Sequence, residues 1–137
     1  MAPFIALEEP AQATRALVFP GQGAQSVGMG KDLYDEFPSA RELYDRADEI
    51  LGFRLSKLCF EGPEEELQQT RNAQPAIAVT SLALLKVATE LTPQLLKKPA
   101  YVAGHSLGEY PALVAAGALQ FDEAVRLLRT RGELMQA

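Results

Sequence analysis

The residues best suited to chemistry lie in Gly104-His105-Ser106-Leu107-Gly108, inside the stretch from Tyr101 to Glu109. G-x-S-x-G puts a glycine two positions before and two positions after a serine. An apolar run precedes it and an apolar helical pattern follows, so it reads as a sharp strand-to-helix turn, the nucleophile elbow. Side chains at the flanking positions would collide with neighbouring backbone. The helix N-terminus would aim its unpaired N–H groups at the serine, where attack on an acyl carbonyl develops an oxyanion. Ser106 is therefore the candidate nucleophile, with a plain turn serine as the alternative. A second glycine-rich stretch, Leu17 to Gly30, reads as a short strand followed by a loop. Gly21 and Gly23 around Gln22 would let backbone approach a bound group closely. Nucleotide binding is disfavoured, because the G-x-G-x-x-G that begins there has serine at position 26.

His105 is the only histidine. It is tempting as the base for Ser106, but neighbours on a strand point to opposite faces, and a base needs hydrogen-bond reach. We read it as lining the pocket or supporting the elbow. Cys59, between Leu58 and Phe60, reads as a buried, inert thiol. Neither residue has the companions of a zinc site, so no metal is expected.

The positioning elements follow from periodicity and punctuation. Arg15 to Phe19 reads as a short buried strand ended by Pro20. Lys31 to Phe37 is one or two helical turns interrupted by Pro38. Ser39 and Glu42 have capping-box spacing, and Leu43, Tyr44, Ala47, Ile50 and Leu51 share one helix face that Gly52 ends. Phe53 to Phe60 reads as helical. Gly62-Pro63 opens another helix, whose Glu64, Glu65 and Glu66 suit its dipole. Pro75 to Leu91 is apolar almost all round, as in a buried helix. The helix after Ser106 runs to Ala116 with Gly117 as cap; Glu109 favours its N-terminus. Phe121 to Met135 is amphipathic. Strands separated by helical stretches predict an α/β layer fold with a parallel sheet.

Taken together, Phe19-Pro-Gly-Gln22-Gly-Ala-Gln25, Asn72-Ala-Gln74-Pro75-Ala76, Gly104-His-Ser106-Leu-Gly-Glu-Tyr110 and Arg129-Thr-Arg131-Gly132 resemble, in order, the malonyl-CoA:acyl carrier protein transacylase family. The acyltransferase domains of fatty-acid and polyketide synthases share the pattern. The similarity runs from about Ala16 to the last residue. It implies the α/β-hydrolase-like core of the acyltransferase fold, with 15–137 as the N-terminal part of the large subdomain; residues 1–14, which carry Glu8 and Glu9 and lack the basic start of a targeting peptide, read as a flexible leader. The ferredoxin-like small subdomain would lie outside the chain. It implies Ser106 as the acyl carrier, the backbone N–H groups of Gln22 and Leu107 as oxyanion hole, and Arg131 as partner of the malonyl carboxylate. A guanidinium can give a carboxylate two parallel bonds, which lysine does not replace well. Gln74 and His105 would line the acyl pocket, with a cap or loop role open for Gln74. Arg126 and Arg129 read as solvated on an outer helix face. The family's base is a histidine far downstream of this sequence, so the 137 residues alone are expected to have little transferase activity.

Composition agrees. A net charge of −5 argues against nucleic acid. A lone cysteine suits a reducing compartment such as the cytoplasm, and no apolar run reaches the ~20 residues of a membrane span. The expected partners are malonyl-CoA and acyl carrier protein, with no resident cofactor, since the phosphopantetheine comes with the partner. Lys97-Lys98 is a candidate docking patch for the acidic carrier. Two other readings stay open: an α/β-hydrolase-type thioesterase or esterase, and a non-catalytic module binding acyl-CoA or carrier protein.

Overall fold

The computed structural model describes residues 15–96 and 99–137. The leader expected at 1–14 and the docking patch expected at Lys97-Lys98 lie outside the described residues. In chain order the elements are β1 (Ala16–Phe19), α1 (Lys31–Glu36), α2 (Pro38–Leu51), α3 (Leu55–Glu61), α4 (Glu64–Leu67), α5 (Thr70–Leu91), α6 (Pro93–Leu96), β2 (Tyr101–Gly104), α7 (Glu109–Ala115) and α8 (Phe121–Gln136). The fold is α/β with a small parallel sheet, as expected. β1 pairs with β2 in parallel, Ala16 opposite Tyr101 and Phe19 opposite Gly104. Parallel neighbours need a crossover, here carried by α1 to α6. This register brings the C-terminal ends of both strands, and the two glycine loops that follow them, to one edge of the sheet. In open α/β sheets that edge is where ligands bind.

β1 is less buried than its composition predicts. Phe19 is buried, but Val18 is 74% exposed, because its neighbouring positions point to opposite faces and only one face is covered. The same uncovered side carries Leu84 of α5, at 55% exposure. α5 is otherwise the buried spine: Asn72 to Val79 are all buried, and Leu82, Ala83, Leu85 and Val87 continue the core. It starts at Thr70 rather than at Pro75, so Pro75 sits inside the helix. Across α5, Tyr44 of α2 is fully buried, with its hydroxyl 2.7 Å from Thr80 Oγ1 and its ring edge-on to Phe60. Burial pushes that phenol's pKa up strongly.

The expected capping box at Ser39 and Glu42 does not form. Pro38 takes the first helical position, where its missing N–H costs nothing. Ser39 Oγ donates instead to Glu90 Oε2 of α5 at 2.9 Å. A capping box stands at the start of α8, between Gln120 and Glu123. Arg46 of α2 reaches Asp122 in the same turn, and that hydrogen bond holds the Asp122 carboxyl below its usual range. Asp48, near the end of α2, accepts from Ser56 N at 2.9 Å and so satisfies a free donor at the start of α3. Gly52 ends α2 at φ 74°, as its position predicts. No described helix is long and apolar enough to cross a membrane.

Candidate active site

The turn after β2 is built by close backbone contact. Ser106 has φ 55°, the one described non-glycine residue with positive φ. Such a conformation costs about 1–3 kcal/mol and persists only where its surroundings enforce it. They do so here. A Cβ on Gly104 would overlap the carbonyl group of Gly108, and one on Gly108 would run into the Phe19 carbonyl and come within 2.8 Å of that of Pro20. Leu107, 1% exposed, anchors the turn in a small core cluster with Ala73, Ile77, Ala78 and Leu128. The 3-10 turn Ser106–Gly108 then leads directly into α7.

The Gln22 loop packs against this turn. His105 N donates to Phe19 O at 3.1 Å. A Cβ on Gly21 would stand 2.6 Å from His105 Nδ1 and 2.7 Å from its carbonyl oxygen. His105 therefore packs against the loop. Gln22 Nε2 donates to Thr70 Oγ1 at 3.2 Å, fastening the loop to the first residue of α5. Gln22 and Leu107 thus belong to two loops in direct contact.

Arg131 reaches this turn from α8. Its Nη2 donates to Ser106 Oγ at 3.0 Å and its Nη1 to Gln74 Oε1 at 2.6 Å. The guanidinium lies 5.7 Å from the centre of the Tyr110 ring. Gln74 is completely buried, and its Nε2 donates to Met135 Sδ at 3.2 Å. It is neither a cap nor a loop residue but an interior position of α5 that holds a cation beside a serine. The site therefore offers a strained, exposed hydroxyl and a fixed positive charge at bonding distance from it. Such a charge suits an anionic group on whatever the serine engages.

Arg129 corrects the sequence reading. Rather than being solvated, it is half-buried, donating through Nη1 to Asn72 Oδ1 at 2.7 Å and to Arg71 O at 3.2 Å. The cause is Pro75. With no N–H, it cannot serve the carbonyl four residues back, that of Arg71, and Arg129 supplies the donor. Gln136 Oε1 accepts from Arg71 N at 3.0 Å, and a Cβ on Gly132 would stand 2.6 Å from Arg71 Cα. The end of α8 is thereby clamped onto the start of α5, which registers Arg131 against Gln74. A proline followed by a long apolar run was the available signal; the partner of its orphaned carbonyl is a tertiary matter. Among the described residues no cluster of three or more His, Cys, Asp or Glu stands ready to hold a metal ion.

The chain belongs to the acyl transferase domain family, whose sequence model matches residues 16–137. Within that class it is most usefully set beside malonyl CoA-acyl carrier protein transacylases. It is 55% identical over 122 residues to that of Bacillus subtilis (strain 168), covering 88% of this chain and 37% of that protein. To that of Escherichia coli (strain K12) it is 48% identical over 121 residues, 88% of this chain and 38% of the other. The chain thus spans 30–39% of the length of these and similar curated relatives. Its fold superimposes on the acyl-carrier-protein S-malonyltransferase of Bartonella henselae with a TM-score of 0.85 at 47% identity, over 90% of this chain and 40% of that one. A type II PKS acyl-carrier protein in complex with its malonyl-transacylase matches at 0.81 and 47%, over 88% and 38%.

Proposed function

We propose that the protein transfers a malonyl group from malonyl-CoA to the phosphopantetheine thiol of an acyl carrier protein, through an ester on Ser106. The observation that carries this reading is the Arg131 guanidinium bonded both to Ser106 Oγ and to buried Gln74. The names of the relatives, all transacylases of this kind, support it.

Ser106 Oγ attacks the thioester carbonyl, forming a C–O bond and a tetrahedral oxyanion. The N–H groups of Gln22 and Leu107 receive that oxyanion, a donor pair of which each member is worth about 10²-fold or more. The C–S bond then breaks and CoA leaves as its thiol. The carrier's thiol attacks the ester carbonyl, and Ser106 Oγ departs with a proton returned to it. Arg131 meanwhile holds the distal carboxylate, with Gln74 fixing the plane of its guanidinium. The base that takes the serine proton is not a group the described residues bring to Ser106, since His105 is turned to Gly21. Two exchanges at one serine predict ping-pong kinetics. The chemistry needs no resident cofactor, because both thiols arrive with their substrates. The setting is fatty-acid or polyketide synthesis, in the cytoplasm.

The test uses the intact protein with malonyl-CoA and holo carrier. We expect a malonyl adduct that maps to Ser106 and is absent in Ser106→Ala. Arg131→Ala should lower the preference for malonyl over acetyl by about 10–100-fold, the worth of a charge-assisted bond to a carboxylate. An adduct on another residue refutes the reading. Release of free malonate with no carrier labelling favours a hydrolase, and saturable binding with no adduct favours a binding module.

A further inference from the structure

The first turns of α5 have two chemically different sides. One faces the serine: Thr70 holds Gln22, and Gln74 holds Arg131. The other side, carrying Arg71 and Asn72, lines a separate polar cleft of about 360 Å³. The cleft is lined by four cations, Arg54, Lys57, Arg71 and Arg129, against a single acid, Glu66. In a chain of net charge −5 that is a local reversal of sign. Two of the cations already face carboxylates: Arg54 Nε lies 3.4 Å from Asp48 Oδ2, and Arg129 Nε lies 2.7 Å from Glu133 Oε1. The other two do not. Arg71 Nε donates only to the neutral Gln69 Oε1, at 3.1 Å. Lys57 is exposed and has no hydrogen bond or ion pair among the described residues.

A concave site with uncompensated positive charge concentrates anions. Its volume is that of a small ligand site rather than of a single ion; such sites run from about 300 Å³ upward. Guanidinium forks beside an ammonium point charge suit a phosphate ester. The cleft and Ser106 flank the same helix, so they stand apart by the thickness of a helix with its side chains, about 10–12 Å. In the acyl-transfer reading, on which this inference rests, both thiols sit at the end of an extended pantetheine arm whose other end carries a phosphate ester. We propose that this cleft is the phosphate-ester site for that arm. Lys57 and Arg71, flanked by Arg54 and Arg129, bind the phosphate while the thiol end reaches over the start of α5 to Ser106.

The test is the double variant Lys57→Glu with Arg71→Glu in the intact protein, beside Arg126→Glu as a charge control away from the cleft. Malonyl-CoA is compared with malonyl-pantetheine, which carries no phosphate. The ratio of kcat/KM for the two donors should fall about tenfold in the double variant, and Arg126→Glu should leave it unchanged. CoA without an acyl group, titrated calorimetrically at low salt, should bind the double variant about tenfold more weakly. KM for holo carrier is measured in parallel. A rise confined to malonyl-CoA assigns the cleft to CoA, a rise confined to the carrier assigns it to the carrier's phosphodiester, and either supports the proposal. An unchanged donor ratio, CoA affinity and carrier KM overturn it, even if wild-type malonyl transfer proceeds. Should wild type transfer no malonyl, the proposed function falls, and the CoA titration still decides for or against the cleft.

Discussion

Arg129→Met keeps an unbranched stem and removes the guanidinium, which lies 5.0 Å from the centre of the Phe53 ring. Three hydrogen bonds go with it: the 2.7 Å bond to Asn72 Oδ1, the 3.2 Å bond to Arg71 O and the 2.7 Å bond from Nε to Glu133 Oε1. Asn72 is 8% exposed, so its amide oxygen loses its partner where water reaches poorly. A bond from a charged donor is worth about 1.5–3 kcal/mol in such a setting. The bond to Arg71 O is longer, and the ion pair with Glu133 is half-exposed and adds little. We expect a loss of about 2–3 kcal/mol in denaturant unfolding of the intact protein, read as a lower midpoint at constant slope. Pro75 makes the explanation specific. In Pro75→Ala the new N–H can serve the Arg71 carbonyl within the helix, so part of what Arg129 does becomes redundant. In that background Arg129→Met should cost about 1 kcal/mol less than in wild type. Additive effects in this double-mutant cycle would refute the claim that Arg129 replaces the donor Pro75 lacks.

Three further outcomes follow from the geometry. Ser106→Gly removes the strain of φ 55° whereas Ser106→Ala retains it; both lose the hydroxyl, and the glycine variant should be the more stable by about 1 kcal/mol, so equal melting curves would count against backbone strain there. Gly104→Ala puts a methyl into the Gly108 carbonyl and forces the elbow apart; a shift of about 1 Å at a reacting group costs about 10²-fold in rate, and retention of most malonylation in a folded Gly104→Ala protein would show that the turn is softer than argued. Cys59 is fully buried, and burial pushes its thiol up to about 12. The folded state therefore holds that proton where the unfolded chain releases it, so the thiol's contribution to stability is intact at neutral pH and is lost as pH rises from about 9 to about 12. An aromatic-disulfide thiol reagent should leave native Cys59 unmodified at pH 8 and react after denaturation; rapid reaction of the folded protein would contradict its burial.

Much of the site was legible locally. Gly104, Ser106 and Gly108 declare a tight strand-to-helix turn: Gly104 answers a steric demand inside the same few residues, whereas Gly108 answers one set by the Phe19 and Pro20 carbonyls at the end of the neighbouring strand. The helices around Tyr44 and Phe121 follow from their periodicity. What failed was decided at a distance. Ser39 had the spacing of a cap, but Pro38 had already taken the first turn, and Glu90 of another helix offered it a bond. Pro75 looked like the start of a helix because local rules put proline there; α5 begins earlier because α8 supplies the donor that the proline withholds.

The sequence by itself thus determined the strand-to-helix turn at Ser106 and the order of strands and helices, since these rest largely on sterics and periodicity within a short span. That Arg131, Gln74 and Ser106 meet, that Arg129 is a clamp rather than a solvated charge, and that Lys57 and Arg71 share a cleft were decided only by the tertiary structure. Each depends on how α8 and α3 pack against α5, and the direction of a long side chain across a helix interface is not written in the spacing of its neighbours along the chain.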